Sequence, residues 1–275
     1  MTLLASAGTE PEPFHPPSLA DFFPPVFLFA EPAVAWFEDD SPIFGINRIM
    51  LVRFIAAAAL ILIFVLGTRK MRLIPTRGQS MIELGLGFVR DGIAYDLLGE
   101  KDGKRFLPII TTIFFMVLAM NLTGVIPFLN IAGTSVIGVP LVLALVAYGA
   151  FIYAGVKKHP GAFFKNSLFP SGVPWPLYII VAPLEFISTF VLRPITLTLR
   201  LMMNLLVGHL MLVLFFAATH FFIFSLGGGW TALGAGTLVF GFAFTIFEIF
   251  VSLLQAYVFA ILTAIYIQLA LAEEH

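Results

Sequence analysis

Only four charged residues occur between Asn166 and Ala272, and this feature limits the possible folds of the chain more than any other. These four residues are Glu185, Arg193, Arg200 and Glu248. The surrounding sequence is apolar over residues 174–225 and 230–272, and each run is at least twice the roughly 20 residues that span a bilayer. The whole chain is 60% hydrophobic and 11% charged, whereas an ordinary soluble domain carries roughly 25% charged residues. The sequence therefore predicts an all-α integral membrane protein.

Apolar segments divide the chain into a short arm and a membrane domain. Residues 1–45 form a Pro-rich, acidic arm, and residues 46–275 form the membrane domain. About five spanning helices are predicted, at residues 47–67, 106–129, 136–156, 174–225 and 230–272. Residues 79–98 alternate apolar and charged side chains at helical spacing, which predicts one interfacial amphipathic helix. Because only the turn LGGGW separates the last two stretches, we expect two long, strongly tilted helices there.

The basic residues predict the orientation of the chain in the membrane. Lys and Arg are concentrated after the first predicted span and again in the sequence KK at 157–158, and such clusters mark the cytoplasmic side. The acidic arm is then outside, and the C-terminus is cytoplasmic. We expect a multi-pass membrane protein.

Composition also excludes several kinds of site. The net charge of −1 gives no attraction to nucleic acid, and the absence of cysteine excludes disulfides and thiolate metal sites. No glycine-rich loop followed by Lys and Ser or Thr is present, so we expect no bound nucleotide. The sequence predicts no cofactor, no metal and no catalytic residue in this chain.

Arg200 is the most informative of the four charges, because an ionisable group at bilayer depth is costly and marks a functional site by default. Arg200, Asn204 and Gly208 are spaced i, i+4, i+8 and lie near one face of a helix. His209 lies on the opposite face, about 13 Å along the axis from Arg200. A glycine on the first face permits close approach of another helix.

The last helix carries its own polar stripe, at Glu248, Ser252 and Gln255. If the two long helices are antiparallel about LGGGW, Arg200 and Gln255 reach similar depth, and so do His209 and Glu248. A His–Glu pair there forms either a proton relay in a wet half-channel or a structural buried ion pair, and the residues alone leave both open.

Three further polar residues have simpler interpretations. Arg193 is predicted to snorkel at the cytoplasmic boundary, and His220 to lie at the outer interface. Glu185 either lines an inner exit or faces water.

Two motifs resemble subunit a of F-type ATP synthases. LTLRLMMNLLVGHL is similar to the signature helix of that subunit, and FEIFVSLLQAYVFAILTAIYI is similar to its last helix. The seven-residue gap between Glu248 and Gln255 and the stretch MNLTGVIP also match. The resemblance covers most of the chain from about residue 40.

The resemblance implies a non-catalytic stator beside a rotating ring of c subunits, in a complex with the b-subunit peripheral stalk and the rest of the F1Fo synthase. Arg200 would face the carboxylates of the ring and block a direct leak between two offset proton half-channels. Asn204 and Gln255 would be polar residues beside Arg200. His209 and Glu248 would form the outer half-channel pair, with the two residue types in the order found in mitochondrial members.

The resemblance also implies a candidate inner half-channel residue, Glu185. Protons are the favoured coupling ion, although the carboxylate that binds the ion lies on the ring.

Two other functions make different demands on the sequence. A stand-alone ion-coupled secondary transporter predicts internal repeats and broken helices at the midplane, and no repeat is found in the sequence. A subunit of a redox-driven proton pump requires haem-ligating histidines or a quinone site, and only His209 and His220 lie in the two long helices.

Overall fold

The computed structural model describes residues 47–69, 76–126, 129, 133–158, 163 and 177–271, and these residues are almost entirely helical. The α-helices are α1 (Arg48–Thr68), α2 (Arg77–Val89), α3 (Asp96–Leu122), α4 (Gly138–Lys158), α5 (Tyr178–Phe186), α6 (Arg193–His220) and α7 (Thr231–Leu271). A π-helical segment at Arg90–Tyr95 joins α2 to α3, and another at Ile187–Leu192 joins α5 to α6. A third, at Phe221–Leu226, extends the end of α6. The predicted arm at residues 1–45 lies outside the described residues.

Five helical segments of the described chain are long and apolar enough to cross a membrane. They are Arg48–Thr68, Arg77–Leu122, Gly138–Lys158, Tyr178–Leu226 and Gly228–Leu271. This confirms the predicted all-α membrane fold. The last two segments have 49 and 44 residues, hence roughly 70 Å of helix each. Since the hydrocarbon core of a bilayer is about 30 Å thick, these lengths favour the strong tilt that the sequence predicts.

Residues 99–105 lie between the predicted interfacial helix and the second predicted span, and they are helical from residue 100 onward. Gly99 has φ 72° and ψ 173°, and this single residue breaks the helix between α2 and the long part of α3. A Cβ on Gly103 would lie 2.9 Å from the carbonyl oxygen of Ala94, so the two sides of the break are packed too closely for a side chain. The turn is therefore made by glycines rather than by an extended loop.

The second predicted span, residues 106–129, corresponds to the later part of α3, which ends earlier than predicted. The helix ends at Leu122 instead of residue 129, and a turn follows it. The Thr123 hydroxyl donates to the carbonyl of Met120 at 2.7 Å and accepts from the amide of Gly133 at 3.1 Å. Thr123 thus satisfies a helix-end carbonyl and holds the following loop against α3.

The core lies where α3, α4 and α6 meet the second half of α7. Ala256, Ala260 and Ala264 recur every four residues of α7 and are completely buried. Small side chains at this spacing let neighbouring helices approach closely, as in other membrane bundles. Phe106 and Ile110 of α3 fill the space beside this stripe.

The chain reverses between α6 and α7 at the glycine turn predicted from LGGGW. Gly227 and Gly228 have φ of 59° and 60°, a conformation that residues with a side chain rarely adopt. The hydroxyls of Thr219 before the turn and Thr237 after it are 2.8 Å apart. Because the two helices run back along each other from this point, residues at equal distances from the turn lie side by side.

Candidate functional site: a polar seam between the two long helices

Arg200 lies two turns inside α6 and is exposed on the surface of the chain. Its neighbours on the same side are apolar and exposed as well: Leu199, Met203 and Val207. Within the described ranges Arg200 has no hydrogen bond and no ion pair. The positive charge of Arg200 therefore lies on an exposed, apolar surface of the chain.

One turn further along α6, Asn204 faces the last helix. Its side-chain amide nitrogen Nδ2 donates to Oε1 of Gln255 at 3.3 Å. This hydrogen bond confirms the predicted antiparallel register, because it brings Gln255 within one helical turn of Arg200. Asn204 is half-buried and Gln255 is buried, so the bond lies at the edge of the helix interface.

The carboxylate of Glu248 lies against Gly208 another turn along α6. A Cβ built on Gly208 would be 3.3 Å from Oε1 of Glu248. Glu248 is only 3% exposed, and neither of its carboxylate oxygens has a hydrogen-bond partner among the described residues. The close approach that Gly208 permits is thus made by a helix of the same chain, and it carries an acidic side chain.

Glu248 belongs to a row of buried polar atoms on α7. Oγ of Ser252 and Nε2 of Gln255 also have no hydrogen-bond partner in the described part of the chain. Buried polar groups are nearly always satisfied, and those that are not call for a functional explanation. We name Asn204, Glu248, Ser252 and Gln255 the polar seam.

His209 is buried, with 7% of its surface exposed, and lies at the level of Glu248. The predicted pair does not form a direct hydrogen bond, since the described residues give the Glu248 carboxylate none. The structure therefore brings two ionisable residues, His209 and Glu248, to one level of the helix pair, because Glu248 contacts Gly208, the neighbour of His209.

Two arginines of α1 hold the loop that follows α3. Arg53 donates from Nε to the carbonyl of Gly133 at 2.7 Å and from Nη2 to that of Val136 at 3.3 Å. Arg48 donates to the carbonyl of Leu129 at 3.1 Å. These hydrogen bonds hold Leu129, Gly133 and Val136 against α1.

A buried amide adds a polar group to the same region. Asn121 accepts a hydrogen bond from the hydroxyl of Thr134 at 2.9 Å, and its Nδ2 has no partner among the described residues. Asn121 is completely buried. Its presence in an apolar span is evident from the sequence, but its contact with Thr134 is not.

The other end of the helix pair is lined by aromatic residues. The guanidinium carbon of Arg193 lies 5.7 Å from the ring centre of Phe151 and 5.3 Å from that of Tyr266. Arg193 is therefore packed between α4 and α7. Glu185 of α5 is half-buried and has no ion pair in the described residues. The buried hydroxyl of Tyr148 also lacks a hydrogen-bond partner there, and no pattern in the sequence indicates it.

His220, predicted at the outer interface, is exposed near the end of α6, where its ring lies 5.0 Å from that of Phe224. The described residues contain no group of three or more His, Asp or Glu side chains that could hold a metal ion.

Comparison with known proteins identifies relatives along almost the whole chain. Residues 50–268 match the family described as ATP synthase A chain. A protein of Rhodococcus erythropolis named ATP synthase subunit a is 51% identical over 267 residues, which cover 95% of this chain and 92% of that protein. Proteins of the same name from Pseudarthrobacter chlorophenolicus and Paenarthrobacter aurescens are each 35% identical over 100% of both chains.

Proposed function

The chain belongs to the ATP synthase A chain family, and on that premise we propose that it is the membrane stator of the Fo sector. In this role it provides two offset proton half-channels beside a rotating c-subunit ring. Proton flow through the half-channels is coupled to rotation of the ring and hence to ATP synthesis. The chain itself is non-catalytic and binds no nucleotide.

The observation that carries the proposal is the exposed, unpaired guanidinium of Arg200. A lone arginine at bilayer depth costs at least about 2.5–3.5 kcal/mol, and no described carboxylate compensates this one. A carboxylate supplied by a neighbouring subunit would. Arg200 attracts each deprotonated ring carboxylate as it passes and blocks direct proton transfer between the half-channels.

The polar seam supports an outer half-channel. Gly208, which contacts Glu248, lies eight residues beyond Arg200, roughly 12 Å along α6. His209 and Glu248 accept and release protons at this level, and the amides of Asn204 and Gln255 hydrogen-bond the water that carries protons on to the ring carboxylate next to Arg200. The unsatisfied oxygens of buried Glu248 are the acceptors that such a path requires.

Glu185 supports an inner half-channel in the opposite direction. It lies 15 residues before Arg200, roughly 20 Å along α5, the π-helical turn and α6. Glu185 and Glu248 thus lie on opposite sides of Arg200 along the helix. Two offset paths that meet only at the arginine need acidic groups in this arrangement.

The same proposal fixes partners and orientation. The c-subunit ring faces Arg200, the b-subunit peripheral stalk holds the stator, and the N-terminus lies outside a bacterial plasma membrane. Each proton that crosses 100 mV gains about 2.3 kcal/mol, so several protons per ATP are required, and a rotating ring provides that ratio.

Substitution of Arg200 tests the proposal in the assembled synthase. Arg200→Ala should abolish ATP-driven acidification of inverted membrane vesicles and leave co-purification with the c-ring unchanged. Met203→Ala, at an exposed position one turn away, is the matched control and should pump normally. Normal pumping by Arg200→Ala would refute the mechanism.

The competing function, a stand-alone ion-coupled transporter, makes a different prediction. The purified chain in proteoliposomes, without the other subunits, should show no ion-driven uptake if it is a stator. Uptake by the chain alone would favour the transporter.

A further inference from the structure

Two cations converge on one phenol at the end of α4. Nη2 of Arg105 donates to Oη of Tyr153 at 2.8 Å, and Nζ of Lys157 donates to the same oxygen at 3.1 Å. Both cations also lie over the ring of Tyr153, at 5.1 Å for the Arg105 guanidinium carbon and 5.4 Å for Lys157 Nζ. Arg105 belongs to α3, so the cluster bridges two helices.

Among the described residues, the cluster has two positive charges and no anion. Neither Arg105 nor Lys157 forms an ion pair with any carboxylate of the described ranges. Their shared acceptor is a neutral hydroxyl, and Tyr153 is 51% exposed. The adjacent Lys158 is different, because it donates to the carbonyl of Leu271 at the end of α7. An anion would therefore complement the charges of Arg105 and Lys157.

An open groove of about 600 Å³ begins at the cluster. Its lining residues are Gly149, Ile152, Tyr153, Val156 and Lys157. The apolar surface continues along α4 through exposed Val146, Leu145 and Val142. From Tyr153 to Val142 the stripe is roughly 16 Å long, which is about half the hydrocarbon thickness of a bilayer.

We propose that the Arg105–Tyr153–Lys157 cluster binds the headgroup phosphate of an anionic phospholipid whose acyl chain lies along the groove of α4. The two cations and the phenol hydroxyl supply donors to the phosphate oxygens. Basic side chains at the end of a spanning helix attract anionic lipid headgroups. The apolar stripe starts at these donors and runs into the membrane, as the two parts of a phospholipid require.

The combination of features favours a lipid over a transmembrane helix of another subunit. A helix of another subunit would have to place an acidic side chain at the cluster in addition to covering the apolar stripe. A phospholipid satisfies both the stripe and the cluster. The site is also distinct from Arg200 and the polar seam, so it does not rest on the proposed proton path.

Photo-crosslinking in the assembled synthase tests the site. The probes are photoactivatable phosphatidylglycerol and the matching phosphatidylcholine, each in phosphatidylcholine vesicles, and labelled peptides are mapped by mass spectrometry. We expect phosphatidylglycerol to label residues 149–157 several-fold more than phosphatidylcholine does. Arg105→Ala/Lys157→Ala should lower that labelling about 30-fold, whereas Lys101→Ala/Lys104→Ala, at exposed lysines of the same helix, should not change it.

A second variant tests the groove independently of charge. A Cβ on Gly149 meets no atom within 4 Å, so Gly149→Leu should fill the groove without disturbing the fold. It should lower labelling of residues 149–157 and leave ATP-driven proton pumping at the wild-type rate. Equal labelling by the two lipids, unchanged labelling in the charge variant, or crosslinks only to another subunit would each overturn the proposal.

Discussion

The carboxylate of Glu248 rests on the bare backbone of Gly208, with 3.3 Å between Oε1 and the position that a Cβ of Gly208 would occupy. This contact places an acidic group inside the interface of the two long helices. Since the described residues give Glu248 no hydrogen-bond partner, its position depends on the shape of α6 at this point. The glycine is thus as much a part of the polar seam as the side chains are.

Substitution of Gly208 should impair proton transport in proportion to side-chain size. Gly208→Ala requires Glu248 to shift by a few tenths of an ångström, and Gly208→Val requires more, with an overpacking cost of about 1–3 kcal/mol. We expect a partial loss of ATP-driven pumping for Ala and a nearly complete loss for Val, measured in inverted vesicles at equal levels of assembled synthase. Gly236→Ala on α7, where the added methyl meets open space, is the control. Full pumping by Gly208→Val would show that the contact between Glu248 and Gly208 is not needed for proton transport.

The antiparallel register of α6 and α7 is predictable from sequence because it depends on few quantities. The glycines at 227–229 fix the turn, and counting away from them brings Asn204 and Gln255 together, as their hydrogen bond confirms. The scarcity of charges in this part of the chain makes each remaining polar residue informative. For the same reason the sequence alone singles out Arg200, His209 and Glu248.

Contacts between distant parts of the chain are not predictable in this way. No pattern in the sequence places Arg53 of α1 against the carbonyls of Gly133 and Val136, or Thr134 against Asn121, because these contacts depend on how α1 and the segment after α3 pack. The helical start of α3 escapes prediction for another reason. Charged residues at 100–105 are typical of a loop, whereas the structure makes the turn with the backbone of Gly99 and the close packing at Gly103.

Loss of Arg53 should loosen the loop after α3. Arg53→Ala removes two hydrogen bonds to backbone carbonyls, and bonds of this charged type contribute about 1.5–3 kcal/mol each. Amide hydrogen exchange of residues 133–137 in the purified synthase should become faster, and Arg53→Lys should restore part of the protection. Arg77→Ala, at an exposed arginine of α2, should leave these residues protected. Unchanged exchange in Arg53→Ala would mean that the loop is held by other contacts.

The turn between α6 and α7 should be sensitive to substitution of Gly227 and tolerant to substitution of Gly229. Gly227 has φ 59° and ψ −165°, a region that is essentially restricted to glycine and costs other residues about 1–3 kcal/mol. Gly227→Ala should therefore reduce the amount of chain assembled in the membrane and its midpoint of thermal unfolding. Gly229→Ala is the matched control, because Gly229 lacks a positive φ and its added methyl meets no atom within 4 Å. Equal stability of the two variants would contradict the turn geometry.

Exchange of His209 and Glu248 should be tolerated better than loss of either residue. The two side chains lie at one level of the helix pair without a direct hydrogen bond, so a proton passing between them does not depend on which residue stands on which helix. His209→Ala and Glu248→Ala should each lose most ATP-driven pumping, and His209→Glu/Glu248→His should retain a measurable part of it. The initial rate of vesicle acidification, normalised to the amount of assembled synthase, measures the difference. If the double exchange is no more active than the worse single variant, the two residues act separately. The function of Glu248 would then depend on its packing against Gly208 and not on His209.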